Sequence, residues 1–297
     1  MRFQLSFYCG YFLFFIIVAS LTSPTQAETK KISAVASFSI IGDLVQQVGG
    51  DHVGVTMIVG PEEDAHVYQP SPADARKITQ AEIIFINGLG FEGWLSRLIN
   101  ATKSKGAVVD LSSEIKARQS QGEIDPHVWQ DVNNVKIYIQ EICRALKAVD
   151  PKNGADYQKN SQLYIEKLSK LDNEIIESLT KIPLGDRRVV STHDAFGYFS
   201  ARYGVAFLAP QGVSTEAEAS ARDIARIIDA ARAQKVKAVF LENVADPRLA
   251  KRISVETNVR LGGTLYSDSL TGAKGDGATY LEMMRHNVKE IVRALKP

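Results

Sequence analysis

After Gly154 no Gly or Pro interrupts the chain until Pro183, and across that span Tyr157, Leu163, Tyr164, Leu168, Leu171, Ile175, Ile176 and Leu179 recur at helical spacing. At 1.5 Å per residue the stretch from Gly154 to Ile182 predicts one amphipathic helix about 40 Å long, introduced by Asp150-Pro151 and closed by Pro183-Leu184-Gly185. So long a rod divides the chain into two parts. On the N-terminal side, strands at 31–38, 53–59, 82–87 and 107–111 alternate with helices at 40–48, 72–80, 92–101 and 132–149. On the C-terminal side, strands at 188–192, 205–208, 238–241 and 261–266 alternate with helices at 195–202, 220–234, 247–257 and 278–295. Strands bounded by helices in this order imply parallel sheets built from βαβ units. The expectation is an α/β fold with two lobes, each a parallel sheet flanked by helices, joined by a single rigid helix. Its divisions are 28–150 for the first lobe, 151–183 for the bridge and 184–297 for the second.

Composition excludes several functions. Met1-Arg2, an apolar run from about Phe12 to Leu21, and Thr25 and Ala27 at the −3 and −1 positions predict a cleavable signal peptide over 1–27, hence a periplasmic protein. The run is shorter than the roughly 20 residues of a membrane span. Cys9 precedes it, where a lipid-bearing cysteine would come after it. Beyond Ala27 the basic and acidic residues balance at 34 each, so no net field collects nucleic acid or anionic lipid. Cys143 is the one cysteine left, with no partner for an internal disulfide, and reads as a small buried hydrophobe.

Of five histidines, His66, His127 and His193 fall at junctions where expected strands stop, and Asp268 follows the expected strand 261–266. In open parallel sheets ligands gather at the carboxyl ends of strands. The four residues divide two and two between the lobes. Three neutral imidazoles and one carboxylate form a complete shell for a borderline divalent transition metal, with no open position for catalysis. A single histidine beside a strand end more often caps a turn; the joint pattern favours ligation. Asp194 and Glu242 are spare carboxylates suited to orienting an imidazole N–H. Ser39 and Trp129 are candidates to line the cleft, with plain packing as the alternative. His52 and His286 read as surface residues.

Four ordered segments carry a resemblance: Asp64-Ala65-His66-Val67-Tyr68-Gln69-Pro70-Ser71-Pro72-Ala73-Asp74; Asp125-Pro126-His127-Val128-Trp129; Ser191-Thr192-His193-Asp194-Ala195-Phe196 with Tyr198-Phe199; and Gly262-Gly263-Thr264-Leu265-Tyr266-Ser267-Asp268-Ser269-Leu270. Over essentially the whole mature length the chain resembles the cluster A-I solute-binding proteins of ABC importers for zinc, manganese and iron. The resemblance implies a periplasmic receptor holding one cation between two lobes, with His66, His127, His193 and Asp268 as ligands. It implies a membrane permease with its cytoplasmic ATPase as partner, and a monomer that binds no nucleic acid. The first motif and Tyr266-Ser267-Asp268-Ser269-Leu270 look like the manganese and iron branch, whereas His193 stands where that branch often has Glu. The zinc branch commonly carries a His-rich loop between the first two ligands, and Ser112 to Glu123 has no histidine. Manganese and zinc both remain open, with iron a third candidate for the same shell.

Two other classes compete. Gly88-Leu89-Gly90-Phe91-Glu92-Gly93 has the form of a dinucleotide fingerprint, but Glu92 would set a carboxylate against a pyrophosphate, and the strand before it is the third of its lobe. An exported metal-dependent hydrolase would keep three ligands and a water with a general base nearby. No HExxH or nucleophile elbow appears, so the expectation is a carrier and not an enzyme.

Overall fold

The computed structural model describes residues 30–296, with Met1 and Gln4; the expected signal peptide and its cleavage point lie outside the described residues. Strands β1 (Ile32–Ala36), β2 (Val53–Met57), β3 (Ile83–Ile86) and β4 (Ala107–Asp110) make one sheet in the order β2-β1-β3-β4, with every pair parallel. Strands β7 (Arg188–Val190), β8 (Ala206–Leu208), β9 (Ala238–Glu242) and β10 (Leu261–Leu265) make a second, in the order β10-β9-β7-β8. Each sheet places its own first strand between its second and third, so the topology repeats. The crevice beyond the central strands, where such sheets bind ligands, occurs twice.

The helices are α1 (Ser39–Gly49), α2 (Pro72–Gln80), α3 (Leu95–Thr102), α4 (Val132–Val149), α5 (Gly154–Thr180), α6 (Gly197–Tyr203), α7 (Ala221–Ala233), α8 (Pro247–Thr257) and α9 (Tyr280–Leu295). Local chemistry fixes their starts. Ser71 and Asp74 form a reciprocal capping box ahead of Pro72. Ser220 accepts from Asp223 N at the start of α7, and Asp246 accepts from Arg248 N ahead of Pro247 at the start of α8. The bridging rod is α5.

Two differences from expectation matter for the site. Between β4 and α4, where a plain loop is expected, β5 (Arg118–Ser120) and β6 (Glu123–Asp125) pair as an antiparallel hairpin. Its two-residue turn, Gln121-Gly122, has φ of 52° and 89°, the left-handed pair of a tight hairpin turn. The second concerns the joint between lobes. From Lys31 onward the chain is one compact unit, because α9 leaves β10 and packs on α5 and α1. Tyr280 N donates to Asp43 Oδ2 at 2.8 Å and Tyr280 Oη to Trp129 O at 2.8 Å. One hydrophobic core therefore runs from the first sheet through α1, α4 and α5 to Met283, Met284 and Ile291 of α9. A smaller cluster under α7 and α8 holds the outer face of the second sheet. The connecting helix is α5, and α9 packs against it and α1.

Candidate metal centre

The loop after β2 delivers His66, the hairpin delivers His127 directly after β6, the turn after β7 delivers His193, and the segment after β10 delivers Asp268. His127 thus follows the hairpin and not the strand at 107–111, and His193 lies three residues past the end of β7. The ligand atoms of the four residues all lie within 4.8 Å of one another. His66 Nε2 and His127 Nε2 are 3.3 Å apart. Asp268 Oδ1 is 3.5 Å from His127 Nε2, and its Oδ2 is 3.5 Å from His66 Nε2 and 3.0 Å from His193 Nε2. A tetrahedron with metal–ligand bonds near 2.1 Å has edges of about 3.4 Å, so most of these separations already match. Both Asp268 oxygens and His193 Nε2 are buried without a well-formed hydrogen bond. Buried polar atoms normally find partners, and this cluster has the make-up of a group that could hold a metal ion.

The buried charges act differently on the members of the cluster. Burial pushes the His66 imidazole below its usual range, against the pull of Asp268, and His127 and His193 add to the depression. Burial also opposes charge on His193, but the Glu242 and Asp268 carboxylates outweigh it and hold the group well above the usual imidazole range. Burial would raise Asp268; His193 and His127 overcome it and hold the carboxyl well below normal.

Two carboxylates orient the rings from behind. Glu242, at the end of β9, accepts from Thr192 N at 2.6 Å and His193 N at 3.0 Å through Oε1, and its Oε2 lies 2.6 Å from His193 Nδ1. Asp125 Oδ1 accepts from His127 N at 3.0 Å and lies 2.9 Å from its Nδ1. Such contacts fix the tautomer that leaves Nε2 free for metal. Asp194 does not do this, contrary to expectation: it accepts from Ser120 Oγ at 2.5 Å and touches no imidazole nitrogen, because the turn aims it at the hairpin. Asp125 was missed by sequence reasoning. Its signal was present in Asp125-Pro126-His127, where an acid two residues before a histidine can reach back to both the ring and the backbone.

The segment carrying Asp268 is fastened to the first lobe. Ser267 O accepts from Trp129 Nε1 and Gln130 Nε2, both at 2.8 Å. Leu270 N donates to Ser39 Oγ at 3.0 Å, and Leu270 O accepts from Glu62 N at 2.9 Å. Ser39 and Trp129 thus hold the Asp268 segment, and the Trp129 ring also packs against His127 at 5.3 Å. Phe91 meets His66 edge-on at 4.6 Å. His286 departs from the surface role expected of it: it stacks on Tyr266 at 4.3 Å with Nε2 2.9 Å from Thr264 O. His52 is half-buried, 2.9 Å from Asp156.

The glycine-rich turn is no phosphate cradle. The Glu92 carboxylate accepts from Ser37 Oγ at 2.5 Å, Asn87 N at 2.7 Å and Gly88 N at 3.3 Å, taking the backbone donors a pyrophosphate would need. Gly88, at φ 84°, is required because a Cβ there would come within 2.3 Å of the Asp110 carboxylate.

Comparison with known proteins agrees in extent and kind. The family described as zinc-uptake complex component A, periplasmic, matches residues 34–294. The chain is 31% identical over 294 residues to the manganese ABC transporter substrate-binding lipoprotein PsaA of Streptococcus pneumoniae, covering 95% of each chain. It is 34% identical over 275 residues to the manganese-binding lipoprotein MntA of Halalkalibacterium halodurans, covering 91% of each. Among solved structures it superposes on the periplasmic zinc-binding protein TroA of Treponema pallidum with a TM-score of 0.86, at 29% identity, covering 90% of this chain and all of that one.

Proposed function

The chain belongs to the family of the periplasmic zinc-uptake component A, and from that premise we propose that it is an extracytoplasmic receptor that captures one divalent transition metal, manganese or zinc, and delivers it to the permease of an ABC importer. His66, His127, His193 and Asp268 are the proposed ligands. The observation that carries this reading is the buried convergence of three imidazole Nε2 atoms on a carboxylate whose two oxygens lack hydrogen bonds. Relatives named for manganese, and one from Yersinia pestis named for iron, support the transition-metal class. Three nitrogens suit zinc, and a carboxylate facing inward with both oxygens offers the higher coordination number that manganese tolerates. Intrinsic affinity favours zinc over manganese at any such site, so availability and release decide which ion is carried.

The finer assignments come from the sequence. Residues 1–27 act as a cleavable leader and not a lipid anchor, since Cys9 precedes the apolar run. The lobes divide at 28–150 and 184–297 about the bridge at 151–183. The receptor works as a monomer and binds no nucleic acid. Capture completes the donor set as the lobes meet; docking on the permease loosens it.

Calorimetric titration of chelator-stripped protein with manganese, zinc and ferrous ions tests the proposal. Metal held only by the folded chain at 100 times its Kd adds about 2.7 kcal/mol of stability. For a protein of this size that raises the melting temperature by roughly 5–10 °C. A melting curve indifferent to all three ions would end the reading.

A further inference from the structure

The segment between β8 and α7, residues 209–220, has no regular structure, yet it is hydrogen-bonded to ligand-bearing segments of both lobes. Gln211 N donates to Thr192 O at 3.4 Å and Asp194 N donates to Gly212 O at 3.1 Å, so the loop pairs with the residues on either side of His193. Val213 is buried and anchors the loop. Just beyond it, Thr215 Oγ1 donates to Asp64 Oδ2 at 2.6 Å, across the seam between lobes. The other oxygen of Asp64, Oδ1, accepts from His66 N at 2.9 Å. One carboxylate therefore holds the His66 backbone with one oxygen and the opposite lobe with the other.

Of the four proposed ligands, His66 is the one whose side chain keeps any exposed surface, 4%; the other three side chains are fully buried. Around the rest of the site Phe91 and Trp129 pack on His66 and His127, Tyr198 Oη donates to Asp125 O of the hairpin at 3.2 Å, and the segment around Asp268 is fastened to the first lobe. Beyond the Thr215–Asp64 contact opens a cavity of about 460 Å³ at whose wall stand Asp64, Thr192, Gln211, Thr215 and Arg248. It runs from solvent to the residue before His193.

We propose that Thr215 and Asp64 form a clasp that gates passage of the cation on the His66 side, so that breaking this hydrogen bond frees the 209–220 loop from the His66 segment while Ser120 still holds Asp194 beside His193. Neither residue touches the metal; both are positioning residues. The proposal rests on the receptor function and adds to it the element that sets the rate of release.

The test is metal release from the full chain loaded with manganese or zinc, monitored by stopped-flow mixing with excess chelator. Thr215→Val keeps the shape and removes the donor; Thr215→Ser keeps the donor. A hydrogen bond to a charged acceptor that must break before exit makes Thr215→Val release about tenfold faster or more, with Thr215→Ser close to wild type. The d–d absorption of the cobalt-loaded protein reads the coordination shell itself, and in Thr215→Val it stays that of wild type while release accelerates. Thr215→Val releasing at the wild-type rate, Thr215→Ser releasing as fast as Thr215→Val, or a changed cobalt spectrum would each overturn the clasp. A wild-type protein that retains no cation would overturn the receptor reading first and the clasp with it.

Discussion

Replacing Glu242 by Gln separates the work of the orienting carboxylate from that of the ligands. Glu242 Oε1 serves two backbone donors, Thr192 N and His193 N, while Oε2 faces His193 Nδ1 at 2.6 Å. A glutamine has one oxygen for these two tasks. If that oxygen stays on the amides, its NH2 meets Nδ1; if it turns, its NH2 meets two N–H groups. In the metal-free protein Glu242 and Asp268 favour the protonated ring; without the Glu242 charge the ring can give up its Nδ1 proton and keep the one on Nε2, which lies 3.0 Å from Asp268 Oδ2, so Nδ1 becomes an acceptor. With metal on Nε2 that tautomer is closed, Nδ1 must carry the proton, and two donors oppose each other. One buried donor left without an acceptor costs about 1–3 kcal/mol, which matches the 10–100-fold loss of affinity usual when a group orienting a ligand is removed. Glu242→Gln is therefore expected to weaken manganese or zinc binding by about 10–100-fold in calorimetry. At fixed free metal the metal-induced rise in melting temperature shrinks by roughly 3–10 °C. Equal losses of melting temperature with and without metal, at unchanged Kd, would refute the tautomer argument.

Glu92 gives a prediction about pH. Burial pushes its carboxyl up to about 7 despite the donors of Ser37, Asn87 and Gly88. The folded chain thus holds a proton that the unfolded chain, titrating near 4.5, has lost. This contribution is fully present below pH 4.5 and disappears as pH rises through 7, a change of about 3 kcal/mol at 1.36 kcal/mol per pH unit. Urea unfolding of metal-free protein at pH 5 and pH 8 should show Glu92→Gln losing less stability than wild type between the two; equal losses would rule out Glu92 as the source. Metal affinity should fall with acidification, since protons compete for the three imidazoles, and equal Kd at pH 5 and 7.5 would contradict ligation by histidine.

The architecture was readable from the alternation of apolar segments: α2, α4 and α8 begin and end at the expected 72–80, 132–149 and 247–257, where the structure caps them with Ser71, Asp131 and Asp246. The hairpin was not readable. Arg118–Ser120 and Glu123–Asp125 lack apolar alternation, and only Gln121-Gly122 hinted at a turn. Missing the hairpin also hid Asp125, whose role depends on the backbone that β6 imposes. At the site, residue types and junctions pointed to four donors. Their approach to within 4.8 Å depends on how the two sheets face each other, which no spacing along the chain encodes. Asp194 was misjudged for a similar reason: adjacency to His193 says nothing about the direction its side chain takes. The packing of α9 on α5 and α1 is likewise a tertiary contact that a periodic pattern leaves open.

Asp268 belongs to the second half by chain order but to the first by attachment. Tilting it away with β10 means tearing Ser267 from Trp129 and Gln130 and Leu270 from Ser39 and Glu62, bonds that shield one another from water. His193 has fewer such moorings. An opening of the seam is therefore resisted less at His193 than at Asp268.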